Sequence, residues 1–107
     1  GVPVAQGTDF YPGPFDPLMS LQGMVTRTGW NGETWGANQA VSVDEALTIL
    51  TLNGAYASYE EDAKGSISAG KLADYVVLSD DPHIAPDKIL DLEIVRTVVG
   101  GEAMFER

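Results

Sequence analysis

The chain has 107 residues, 44% hydrophobic and 21% charged, with Gly 12, Pro 6 and Cys 0, which suits one globular domain at most and excludes wholesale disorder, a collagen-like repeat and a disulfide scaffold. Six Lys and Arg against sixteen Asp and Glu leave a net charge of −10, which opposes nucleic acid and anionic lipid surfaces, whose binding depends on cationic side chains. Without cysteine there is no thiolate nucleophile and no Cys-ligated zinc, and no apolar run approaches the roughly 18 residues of a membrane span.

The sequence opens on Gly1-Val2-Pro3-Val4, without Met and without the charged and apolar regions of a signal peptide. It reads as an internal portion of a longer, cytoplasmic protein. Residues 2–8 are short, mostly apolar and poor in helix caps, which predicts a strand buried on both faces, as in a parallel sheet. Phe10-Tyr11-Pro12-Gly13-Pro14 breaks regular structure, and Asp16-Pro17 then sets an N-cap residue before a first-turn proline. A helix is expected from there, with Leu18, Leu21, Gln22, Met24 and Val25 on one face and its end near Thr28-Gly29. Residues 30–38, with Gly32, Gly36, Trp30 and Trp35, read as a loop.

Ser42-Val43-Asp44-Glu45 is a capping box, with Ala46, Leu47, Ile49 and Leu50 as the apolar positions of the helix it opens. Thr51-Leu52-Asn53-Gly54-Ala55 interrupts that pattern, and a second short helix is expected over residues 55–59. Residues 64–71, with Gly65 and Gly70 around Ile67, suit a short strand between tight turns. The period then changes. Residues 73–78 are β-rich and stop at Ser79-Asp80-Asp81-Pro82, and residues 86–90 can make one helical turn. Residues 93–99, Gly100-Gly101 and residues 102–106 form a hairpin pattern, because a Gly-Gly pair supplies the positive φ of a two-residue turn. On these residues alone the chain is an α+β piece of a larger protein.

Few residues point to chemistry. Asp9 follows the first predicted strand at its carboxyl end, where ligands and catalytic groups collect in parallel α/β folds; a turn carboxylate or helix cap explains the same position. Asp80, Asp81 and His83 could be imagined as metal ligands, but Asp-Asp-Pro after a strand is ordinary turn chemistry and is the preferred reading. Tyr11, Trp30 and Trp35 suit either an aromatic substrate wall or cover for a core. Glu60-Glu61-Asp62 reads as a solvated helix end. The sequence has no G-x-S-x-G elbow, P-loop, HExxH helix or dinucleotide fingerprint.

Ser42-Val43-Asp44-Glu45-Ala46-Leu47, Thr51-Leu52-Asn53-Gly54-Ala55, Gly65-Ser66-Ile67, Gly70-Lys71-Leu72-Ala73-Asp74-Tyr75-Val76-Val77-Leu78, Asp81-Pro82 and Thr97-Val98-Val99-Gly100-Gly101 occur in that order. Together they resemble the C-terminal end of a metal-dependent amidohydrolase, closest to the subgroup that includes the N-substituted formamide deformylases. The resemblance implies a C-terminal fragment of a (β/α)8 barrel, its last strand and following helices in residues 1–62, plus the C-terminal strands of a small β-sandwich in residues 63–107. Gly7-Thr8-Asp9 is similar to the family's glycine, small hydroxyl residue and aspartate at the end of the last barrel strand. That match implies that Asp9 is the catalytic aspartate and a metal ligand. It also implies a divalent metal, zinc foremost, in the intact protein, with the histidine ligands on earlier strands and no metal on the isolated chain.

The expectation is thus a hydrolase of non-peptide carbon–nitrogen bonds, of amide or formamide type, acting on a small molecule. This chain would be inactive alone and would self-associate as a homo-oligomer, because its strand edges lose their neighbours, with no nucleic-acid or membrane partner. Asp74 is expected to hold a loop. The competing expectation is a free-standing α+β module that binds a partner through its aromatic loop.

Overall fold

The computed structural model describes residues 1–11 and 14–107. The break expected at residues 10–14 therefore falls partly outside the described residues, at Pro12 and Gly13. Helix α1 runs over Pro17–Thr26; Asp16 caps it by accepting the Leu18 N–H at 2.9 Å, and Pro17 occupies the first turn. It ends at Arg27, whose left-handed backbone (φ 58°) returns its N–H to the Gly23 carbonyl at 2.8 Å. Residues 30–36 form the expected loop, and Ala37–Gln39 is a single 3₁₀ turn.

Helix α2 (Val43–Leu50) starts on the capping box read from the sequence. Ser42 Oγ accepts the Glu45 N–H at 3.2 Å, and Glu45 Oε2 accepts the Ser42 N–H at 2.9 Å. The same Ser42 N–H, followed by the Ser42 hydroxyl, holds the Glu45 carboxyl below its usual range. Thr51 breaks the helix with φ −123° and ψ −82° and donates its hydroxyl to the Leu47 carbonyl at 2.7 Å. Helix α3 (Leu52–Ala57) restarts at once, earlier than the expected 55–59, because Thr51 takes the whole change of direction. Tyr59, at φ 59°, lies beyond its end.

Residues 64–71 are turns rather than the expected strand. Gly65 (φ +89°) brings this stretch against α3 so closely that a Cβ there would lie 2.8 Å from Ala55 Cβ and 3.0 Å from Leu52 Cα. The backbone bends around a helix instead of extending beside a strand. Beyond it, β1 (Tyr75–Leu78), β2 (Ile94–Val99) and β3 (Glu102–Glu106) form an antiparallel sheet in the order β1-β2-β3. Tyr75 stands opposite Val98 and Thr97 opposite Phe105, with a register shift in each ladder. The β2–β3 hairpin turns on Gly100 (φ 59°) and Gly101 (φ 85°) as the Gly-Gly pair predicts. Asp74 Oδ1 accepts the Gly100 N–H at 2.7 Å and so holds that turn.

Between β1 and β2, a 3₁₀ helix over Pro86–Asp91 drives Ile89 and the following Leu92 inward. They join Leu18 and Leu21 of α1 and Ala46 of α2 in one apolar cluster, against which Leu78 and Ile94 pack from the sheet.

The predicted buried strand at residues 2–8 is the main correction. The segment forms no strand, and its Val2 and Val4 side chains are 86% and 59% exposed. A strand is completed by neighbouring strands, and none lies beside this segment among the described residues. Helices hold it instead: Asn53 Nδ2 donates to the Val4 carbonyl at 2.8 Å, the Gln6 N–H to the Ile49 carbonyl at 3.4 Å, and Gln6 Nε2 to Ser20 Oγ at 2.8 Å.

The close approach at Gly65 is open to test. Gly65→Ala is expected to add an overpacking cost of about 1–3 kcal/mol to the ~1–2 kcal/mol of a side chain in left-handed backbone. Gly70→Ala, at φ +92° but with nothing within 4 Å of the new Cβ, carries the second cost alone. Denaturant unfolding of the two variants should rank Gly65→Ala as clearly the less stable; equal losses would remove the close contact from the account.

Candidate functional site

Asp9 follows residues 2–8 and precedes the turn into α1 with its side chain exposed, but the expected strand, whose carboxyl end it would mark, is not formed. Its backbone is left-handed at φ 47°, as is that of Tyr11 at φ 43°. That conformation is uncommon for residues other than glycine, although Asp tolerates it better than most. Here it makes a sharp exit from the extended segment. The residues just before Asp9 line an open hollow of about 370 Å³, with Gly7 and Thr8 on one side, Met19, Ser20 and Gly23 of α1 on another, and Trp30 from the loop. The hollow thus combines the Thr8 and Ser20 hydroxyls with an indole and a thioether.

Among the described residues, no group of three or more His, Cys, Asp or Glu side chains is placed to hold a metal ion. Asp9 supplies one carboxylate, whereas a catalytic zinc takes three protein ligands and an open position. The residues of this chain therefore do not by themselves fit a metal centre.

The aromatic residues singled out in the sequence do not assemble into a wall. Trp30 lines the hollow yet is 72% exposed, and Tyr11 and Trp35 are exposed as well. Phe10 and Phe15, which the sequence reading passed over, pack edge to face with ring centroids 5.3 Å apart. The acidic stretch after α3 behaves as a helix end: Glu60 pairs with Lys64 at 2.7 Å and accepts the Ser58 hydroxyl at 2.7 Å. These contacts, the Lys64 hydrogen bond foremost, hold the Glu60 carboxyl below its usual range.

Asp80, Asp81 and His83 form a turn, as the preferred reading has it. Asp80 Oδ1 accepts the Asp81 N–H at 2.8 Å, and Asp81 Oδ1 accepts the His83 N–H at 2.9 Å. The sequence reading missed Asp44, whose Oδ1 lies 2.9 Å from His83 Nε2 across 39 residues of chain. No local spacing signals that contact.

Comparison with known proteins places the chain. The model of the amidohydrolase family matches residues 1–105. YtcJ of Bacillus subtilis (strain 168) is 35% identical over the whole of this chain and 21% of its own length. An N-substituted formamide deformylase of Arthrobacter pascens is 36% identical over the whole chain and 20% of its own length. The solved structure of an amidohydrolase from Thermotoga maritima MSB8 superposes with a TM-score of 0.55 at 33% identity, over 65% of this chain and 17% of that one. The chain spans about a fifth of the length of these curated relatives. A match that runs through residues 1–105, from the segment before Asp9 to the last strand, establishes that the chain belongs to the amidohydrolase family.

Proposed function

We propose that this chain is the C-terminal portion of a metal-dependent hydrolase of non-peptide carbon–nitrogen bonds, amide or formamide in type, and that Asp9 is its catalytic carboxylate. The observation that carries the reading is the family match across residues 1–105, with Asp9 standing at the carboxyl end of the segment that leads into α1. A relative that acts on N-substituted formamides supports the bond type. The same match favours a hydrolase over a free-standing binding module.

Residues 1–62 would close a (β/α)8 barrel and residues 63–107 would complete a small sandwich. Exposed apolar side chains on both parts, Val2 and Val4 in the first and Val76, Met104 and Phe105 in the second, support the idea that each packs against further structure. Some of that surface would lie between copies in a homo-oligomer. The metal, zinc foremost, would be held mainly by histidines outside this chain, with Asp9 as one ligand.

In this reading the Asp9 carboxylate takes a proton from the attacking water as oxygen bonds to the carbonyl carbon. It returns that proton to nitrogen as the carbon–nitrogen bond breaks, leaving a carboxylic acid and an amine. The hollow beside Gly7 and Thr8 would receive the small-molecule substrate, with Thr8 and Ser20 offering hydroxyls and Trp30 an apolar face.

In the intact protein, Asp9→Asn keeps the side chain's size but cannot take the proton, so turnover of an N-substituted formamide should fall by at least the ~10²-fold typical of losing a general base. Its melting temperature should change little, because a carboxylate poised at a cavity serves chemistry rather than packing. Asp74→Asn weakens the carboxylate that holds Gly100, so stability should change more than rate. Near-normal turnover in Asp9→Asn would overturn the assignment. Elemental analysis of the 107-residue chain on its own should find no stoichiometric zinc, iron or manganese; one tightly held metal per chain would show that it carries a site of its own.

A further inference from the structure

The chain's only histidine joins two distant elements. His83 Nδ1 lies 2.7 Å from Asp81 Oδ1, and Nε2 lies 2.9 Å from Asp44 Oδ1, in the first turn of α2. A neutral imidazole has one N–H and one lone pair, whereas an ionised carboxylate can only accept. With a carboxylate on each nitrogen, the neutral ring would set its lone pair against an anionic oxygen. Only the imidazolium has a donor for both. The turn also holds Asp81 in place, because Asp81 Oδ1 accepts the His83 N–H at 2.9 Å and the Asp81 N–H is taken by Asp80 Oδ1.

We propose that His83 is a proton-operated clamp: as imidazolium it ties the turn after β1 to the first turn of α2, and loss of its proton releases the α2 side. The inference is independent of the proposed hydrolase activity. Among the described residues, two charged groups face the ring, Asp81 from its own turn and Asp44 from α2. Their hydrogen bonds, that of Asp81 first and that of Asp44 second, raise the His83 pKa above the ordinary value of 6.5. The Asp81 carboxyl is held below the usual range, chiefly by the His83 backbone N–H and then by the ring.

These directions fix the pH window. A histidine whose pKa is raised by folding contributes its stabilisation fully below its unfolded value and loses it as pH rises through the folded value. A carboxyl whose pKa is lowered contributes above its unfolded value and loses that contribution as pH falls through the folded one. The contribution of His83 is therefore present below its raised midpoint and lost above it, and that of Asp81, which stays within its own turn, is lost only as pH falls through its lowered value.

Because His83 is unique, its ring resonances can be followed without ambiguity in an NMR titration of the 107-residue chain. The midpoint should lie above that of a free histidine, and the amides of residues 43–46 should shift with it. In Asp44→Asn the midpoint should fall and the α2 amides should stop responding, while those of the 80–84 turn continue to respond. His83→Gln should remove the same pH dependence from thermal unfolding. All three side chains are exposed, so these substitutions leave the core intact. An ordinary midpoint, a midpoint unmoved by Asp44→Asn, or α2 amides that ignore the titration would each overturn the clamp.

Discussion

The fold depends on Ala46 and Ile89 both being excluded from water. Each is fully buried, and they come from elements with little else to hold them together: a short helix and a 3₁₀ turn inserted between two strands. Ala46 has the small side chain that lets α1 and the 3₁₀ turn come close, and Ile89 fills the space that remains beside Leu18 and Leu21. Burial of apolar surface is the main favourable term at such a junction, about 25 cal/mol per Å² removed from water. Leu78 and Ile94 attach the sheet to that cluster. The segment before Asp9 is attached at one remove, through side-chain and backbone hydrogen bonds to α1, α2 and α3.

That arrangement sets the status of the candidate site. A carboxylate is useful as a general base when its position is fixed relative to a substrate and to other groups. Asp9 is positioned here by a left-handed backbone turn and by helix contacts to residues 4 and 6, with no ladder of backbone hydrogen bonds beside it. The ordered motifs downstream have a local physical purpose in this chain: Asn53 holds Val4, Gly65 makes room for Ala55 and Asp74 closes the hairpin. Of these contacts, that of Asn53 supports the segment before Asp9, and the other two hold α3 and the hairpin.

What could be read from the sequence was what short-range chemistry decides. Asp16-Pro17, the Ser42–Glu45 box and Gly100-Gly101 each complete their hydrogen bonds or set their dihedrals within a few residues, and all appear as expected. The apolar run at residues 2–8 misled because its pattern states a preference for burial between strands, and the strands needed to satisfy it are not beside it among the described residues. Gly65 misled differently: its positive φ was legible as a turn, but the close approach to Ala55 depends on where α3 lies. The pairing of Asp44 with His83 was invisible because it spans 39 residues and uses side chains ordinary in any capping box or turn. Asp9 itself stood out through family resemblance, since position alone left a turn carboxylate equally suitable.

The central claim, that Asp9 belongs to a metal-centred hydrolase site, is tested most directly by anomalous diffraction from crystals of the longer protein from which we propose this chain comes. The data would be collected at the absorption edge of whichever metal elemental analysis identifies. The account expects an anomalous peak about 2.0–2.2 Å from an Asp9 carboxylate oxygen if that metal is zinc, with histidines from other parts of the protein completing the ligand set. A metal peak with its ligands complete and Asp9 outside the coordination sphere, or a catalytically active protein with no metal peak at all, would contradict it.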